Sequence, residues 1–208
     1  MGHYARNHNL KLILQHFAVM WVLTVVGVVF GMWLPSTIVI PLSFICIMLL
    51  FVAFFMRGVR LSNFILYLIP PLMGVMLFWI TQFFIEWIGA DLVLTVFICT
   101  IIIFIGLAGI GLKLERDISD WGSVLFAALF VLIVFSIVFI FFPVSNTFLL
   151  VLAGLFVLVF AVYTVFDFNM IRHNHVKEAD VVWMALNLYL NFINLFTNLL
   201  EVVARYRE

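Results

Sequence analysis

Residues 181–204 read VVWMALNLYLNFINLFTNLLEVVA, an apolar stretch that nevertheless carries Asn187, Asn191, Asn194 and Asn198. Spacings of four, three and four residues put these amides on one helical face, within about 60° of each other at 100° per residue. Asp180, Glu201 and Arg205 project into the same sector, so a polar stripe runs the length of the helix. An unpaired amide facing acyl chains costs on the order of a kcal/mol or more. The stripe therefore predicts a last helix packed inside a membrane protein. Its amides either glue it to its neighbours or line a route for water or ions.

The rest of the chain supplies the surroundings. Of 208 residues, 67% are hydrophobic and 10% charged, whereas soluble domains are about a quarter charged. Apolar runs fall at 12–34, 36–56, 62–84, 92–112, 122–142, 147–171 and 181–204, each near the roughly 20 residues that cross the hydrocarbon as a helix. They lack strand alternation, which excludes a barrel. The fold expected is all-α: a polytopic membrane protein whose residues 1–208 form one domain of seven transmembrane helices, the C-terminal helix central and wrapped by the other six. Arg6, Lys11, Arg57, Arg60, Lys113, Arg116, Arg172 and Lys177 share one side of that topology, and only Arg205 and Arg207 the other. The bias places the N-terminus in the cytoplasm and the C-terminus outside; six spans or a re-entrant last segment would instead put both ends in the cytoplasm. Ten basic and ten acidic residues cancel, so the bilayer is the first partner and nucleic acid is excluded.

Smaller features describe packing. Gly27 and Gly31, and Gly106, Gly109 and Gly111, are expected to let helix backbones approach closely. Pro41 and Pro70-Pro71 should interrupt the second and third spans. Trp33, Trp87, Trp121 and Trp183 sit at span ends as interface anchors. Cys46 and Cys99 lie in apolar runs without metal or disulfide spacing and are read as packing residues.

Asp167 is the acid set well within an apolar run, and an intramembrane carboxylate marks a functional site that needs a partner. It lies five residues before Arg172, roughly 7–8 Å inside the cytoplasmic boundary. Arg57, at the cytoplasmic end of the second span, has a stem long enough to reach it. A buried Asp–Arg pair can specify packing or act as a latch released by protonation or by a divalent cation. One carboxylate plus the amides of Asn187, Asn191, Asn194 and Asn198, continued by Glu201, is a low-charge oxygen set suited to weak calcium binding. No cofactor motif and no catalytic constellation appears: a single deep carboxylate excludes an aspartyl protease, and no Ser–His pair lies in the membrane. The protein is therefore not expected to be an enzyme.

Phe166-Asp167 through His173-Asn174-His175, followed by Met184 to Phe196, resembles the C-terminal signature of the Bax inhibitor family, and more closely its bacterial branch, which includes a pH-sensitive calcium-leak protein. Met56-Arg57, Pro41-Leu42-Ser43 and Gly111-Leu112-Lys113 with Asp117-Ile118-Ser119 match family positions too. The resemblance implies two three-helix layers around the last helix. It also implies a pair of aspartates on the sixth and seventh helices that share a proton and latch the cytoplasmic side with an arginine from the second. Asp167 and Arg57 match that pattern, and Asn191 stands where the second aspartate is expected. The implied function is a passive, pH-modulated calcium leak in a bacterial cytoplasmic membrane, with weaker calcium binding and a more acidic pH response than in relatives bearing the full dyad. The alternative is a non-conducting regulator that binds a membrane protease through the polar N-terminus.

Overall fold

The computed structural model describes residues 2–55, 60–142 and 144–207, with residues 2–7, 53–55 and 60–63 described as backbone alone. Among the described residues there are no strands. Seven helices run in chain order: α1 (Gly2–Gly31), α2 (Val39–Phe55), α3 (Arg60–Ile88), α4 (Ala90–Lys113), α5 (Gly122–Phe141), α6 (Asn146–Arg172) and α7 (Val181–Tyr206). All except α2 are long and apolar enough to cross a membrane; α2 is shorter among the described residues. Phe44, Ile102, Ile105, Phe126 and Ile140 are each more than 60% exposed, a surface that only lipid can cover. The chain is a multi-pass membrane protein. The hydroxyls of Ser43, Thr100, Ser136 and Thr164 each donate to the carbonyl four residues earlier, which satisfies them without water.

The boundaries differ from the apolar runs in informative ways. α1 begins at Gly2, well ahead of residue 12, because a helix already nucleated continues through polar residues at little cost. His16 lies within this span. Pro41 does not interrupt α2: it stands in the first turn, where a missing N–H leaves no helical bond unmade. Pro70 and Pro71 lie inside the continuous α3. Gly89 joins α3 to α4 at φ 91°, a conformation that disfavours a side chain. Ser145 caps α6 by accepting from Phe148 N at 3.3 Å.

Contacts cluster into two compact units. Unit 1 is Met1–Glu86 with Val176–Tyr189. Here α1 and α3 meet backbone to backbone: a Cβ on Gly27 would collide with the carbonyl of Pro71, and one on Gly74 with that of Thr24. Thr24 Oγ1 is hydrogen-bonded to Tyr189 Oη at 2.8 Å, and Trp21 packs edge-on against the Tyr189 ring at 5.5 Å. Tyr67 Oη lies 2.5 Å from His16 Nδ1. Cys46 is buried in this unit.

Unit 2 is Trp87–His175 with Leu190–Glu208. Gly111 of α4 carries the close approach to α6, since a Cβ there would meet Val165 O and the Phe168 side chain. Gly106 and Gly109 do not share this role: nothing lies within 4 Å of the Cβ either would bear. Spaced three apart, they occupy the outer side of α4, and the packing expected of them is corrected accordingly. Cys99 is exposed on the same helix rather than packed. α7 is 67% buried along its span, against 11–28% for the other candidate spans. That is the burial expected of a helix enclosed by protein.

Candidate functional site

Asp167 lies about one and a half turns from the end of α6 and Asn191 in the middle of α7, and both belong to unit 2. Their side chains are 4% and 6% exposed. Asn191 Nδ2 donates to Asp167 Oδ2 at 2.8 Å, the one hydrogen bond to this carboxylate among the described residues. Aromatic rings pack against one another at neighbouring positions of the same helices. Phe104 of α4 stands edge-on to Phe168 at 6.0 Å and to Phe192 at 5.4 Å, and Phe97 stands edge-on to Phe192 and Phe196. Phe168 and Phe192 each follow one member of the pair in sequence.

An ionised carboxylate in such a place requires donors or a cation. One amide donor leaves most of its lone pairs unused. Arg57, the cation expected to face Asp167, lies outside the described residues. No three His, Cys, Asp or Glu side chains converge as metal ligands among the described residues. A calcium ion at Asp167 would therefore be held by one carboxylate, amide oxygens and water.

Around this pair the polar stripe divides. Asn191 is buried, whereas Asn187, Asn194, Asn198, Glu201 and Arg205 are only partly so. Trp183, Leu190 and Thr197 are exposed to a similar degree at the same helical phase, so the stripe marks the less buried side of α7. Asn194 and Asn198 donate back to Leu190 O and Asn194 O at 2.8 and 2.7 Å, and neither amide bonds to another helix among the described residues. Asn187 makes no side-chain hydrogen bond among the described residues. Glu201 accepts from Arg205.

Several residues at the end of the site went unmarked in the sequence. Asn169, fully buried two positions after Asp167, accepts from Ile118 N at 3.1 Å and donates to Leu114 O and Arg116 O. Arg172 donates to Leu112 O at 2.7 Å. Together they fasten the α4–α5 loop to α6. His175, exposed in the α6–α7 loop, is 2.6 Å from Asp117. Asp117 is held down to about 2, first by the Ser119 backbone N–H and then by His175. His173 Nε2 is buried without a hydrogen-bond partner among the described residues. The signal available for Asn169 was its place beside an intramembrane acid. The partner of His175 lies 58 residues away and left no local trace.

Compared with known proteins, residues 6–208 match the family described as "Inhibitor of apoptosis-promoting Bax1". The chain is 38% identical over 110 residues to Protein lifeguard 4 of Mus musculus, covering 53% of this chain and 45% of the relative. It is 31% identical over 119 residues to Bax inhibitor 1 of Schizosaccharomyces pombe, covering 57% and 44%. It is also 34% identical over 115 residues to an uncharacterized membrane protein of Streptococcus pyogenes, covering 52% and 50%. The chain thus spans about half the length of the curated relatives it matches.

Proposed function

The chain belongs to the Bax inhibitor family, and from that premise we propose that it is a passive, pH-modulated leak for calcium or a similar cation, gated at Asp167 and Asn191. The observation that carries this reading is the enclosure of one acid, bonded to one amide, beside a stripe of carboxamides on the most buried helix. A neutral acid can rest against Asn191 with its hydrogen bonds made. An ionised one needs a positive charge, which either Arg57 or an arriving divalent ion supplies. Proton and cation therefore compete for the same oxygens, and the stripe supplies stepping points of low charge that bind an ion weakly enough to release it.

The lysine and arginine bias supports a cytoplasmic N-terminus and an outward C-terminus, with Asp167 toward the cytoplasmic side. A bacterial cytoplasmic membrane fits the bacterial relative. In this role the protein is not an enzyme and holds calcium only as passing cargo.

The test is calcium entry into liposomes holding the full chain, followed by an internal dye as pH is varied. Wild-type protein should give entry that depends on pH, and Asp167→Asn should remove that dependence. Asn191→Asp creates a proton-sharing pair of carboxylates and should move the midpoint to higher pH. Entry no faster than in empty vesicles, or a pH profile indifferent to Asp167→Asn, would falsify the proposal. In the latter case a regulator acting through partner contacts is favoured, and retention of a membrane protease by residues 1–11 would support it.

A further inference from the structure

The opposite end of the stripe is closed by a charge. Arg205 lies two turns beyond Asn198 at the same helical phase. Its Nε and Nη2 both reach Glu201 Oε1 at 2.5 Å. Nη1 donates to Asn146 Oδ1 at 3.0 Å, and Asn146 Nδ2 returns a bond to Arg205 O at 3.1 Å. The guanidinium carbon lies 5.9 Å over the Trp87 ring. Arg205 and Glu201 side chains keep 19% and 29% exposure, so the pair still faces the medium at the mouth of the stripe. Three parts of unit 2 thus converge on one guanidinium: the end of α3, the first residue of α6 and the last turn of α7.

A guanidinium stays charged at any working pH and is fixed here by its planar fork. We propose that Arg205 is the selectivity residue of the leak's outer mouth: a fixed positive charge, partly offset by Glu201, that holds back cation entry. This filter rests on the leak proposed above. Its range is one Debye length, about 8 Å at physiological salt, which covers the end of the stripe and leaves the Asp167–Asn191 pair to act separately. Removing either partner leaves the other's charge at the mouth. The two single substitutions must therefore shift selectivity in opposite directions.

The experiment measures potassium and chloride permeability, from reversal potentials across a salt gradient, and calcium entry, all with the full chain in vesicles. Arg205→Gln should raise cation flux on the order of tenfold at low salt, with the gain fading at high salt. Glu201→Gln keeps the Arg205–Asn146 bonds and should move the permeability ratio toward chloride. Arg205→Lys retains the charge without the fork and should keep the wild-type ratio. A structural tie would behave differently: Lys and Gln at position 205 would be equally disruptive and the ratio would not move, which overturns the filter. If Arg205→Gln does not fold, Glu201→Gln alone decides, because an unchanged ratio there also overturns it. Wild-type vesicles no leakier than empty ones would overturn leak and filter together, while a wild-type leak with the same ratio in every variant overturns the filter alone.

Discussion

Unit 1 closes by laying backbone against backbone at Gly27 and Gly74, whereas unit 2, besides one such approach at Gly111, gathers amide, acid and guanidinium side chains. The neutral hydroxyl pair Thr24–Tyr189 is the main buried polar contact described in the first; Asp167, Asn169 and Asn191 are buried in the second. Contacts at glycine have one good geometry and no charge to change. Polar side chains can trade protein partners for water, protons or ions, and those buried in unit 2 include an acid. Substitutions at the glycine contacts of unit 1 should then alter how much protein folds without altering what the folded fraction does. Substitutions in unit 2 should alter behaviour at smaller cost in stability.

The largest stability effect belongs to unit 1. Gly27→Val puts atoms where the Pro71 backbone carbonyl stands, and backbone cannot rotate away as a side chain can. We expect a loss of about 3 kcal/mol, read by thermal unfolding in detergent. Gly106→Val, facing open space, should leave the midpoint unchanged and serves as the control. The comparison breaks if the Gly27 variant that does fold shows an altered pH profile of calcium entry.

Next is Asn169→Ala in unit 2. It strips partners from Ile118 N, Leu114 O and Arg116 O at once. Water reaches part of that loop, so the cost is about 2 kcal/mol rather than the full penalty of three orphaned groups. Loosening the α4–α5 loop should also alter the pH profile of entry, which Gly27→Val should not do. A matching loss of stability with an unchanged profile would reduce Asn169 to a fastening.

What the sequence disclosed follows the same division. Span positions were legible because the bilayer demands about twenty apolar residues per helix, and Asp167 with Asn191 because helical spacing and depth are local quantities. The orientation of α4 was not: Gly106, Gly109 and Gly111 look alike in sequence, and only the packing of α4 on α6 decides that Gly111 faces inward. His16 lies inside the first apolar run but was not read as part of a contact, because its partner Tyr67 is 51 residues away. Asn146 and Arg205, or Asp117 and His175, lie more than fifty residues apart, and nothing in either neighbourhood selects the other.

Thr24→Val tests the polar contact that unit 1 does bury. The valine keeps the shape, removes the hydroxyl and leaves Tyr189 Oη without its partner, for a cost of about 1 kcal/mol. Tyr189→Phe in addition should recover part of it, since a pair lost together leaves no orphan. Calcium entry should be indifferent to both.

The smallest effect is at Asp117, in the exposed loop of unit 2. Its carboxyl is held at about 2, against an ordinary value of 3.8, by the Ser119 N–H at 2.9 Å and then by His175. A depressed carboxylate contributes stability in full above its ordinary value and loses it as pH falls toward 2. Asp117→Asn should therefore lower the unfolding midpoint by only about one degree near neutrality. The gap between variant and wild type should narrow below pH 4 and close near pH 2. His175→Asn removes the weaker of the two restraints and should cost less than Asp117→Asn while shifting the closing point upward. A gap that persists undiminished to pH 2 would mean that the loop is held by backbone bonds and Asn169 alone. The charge-based account of unit 2 would then apply only to the membrane-embedded acids.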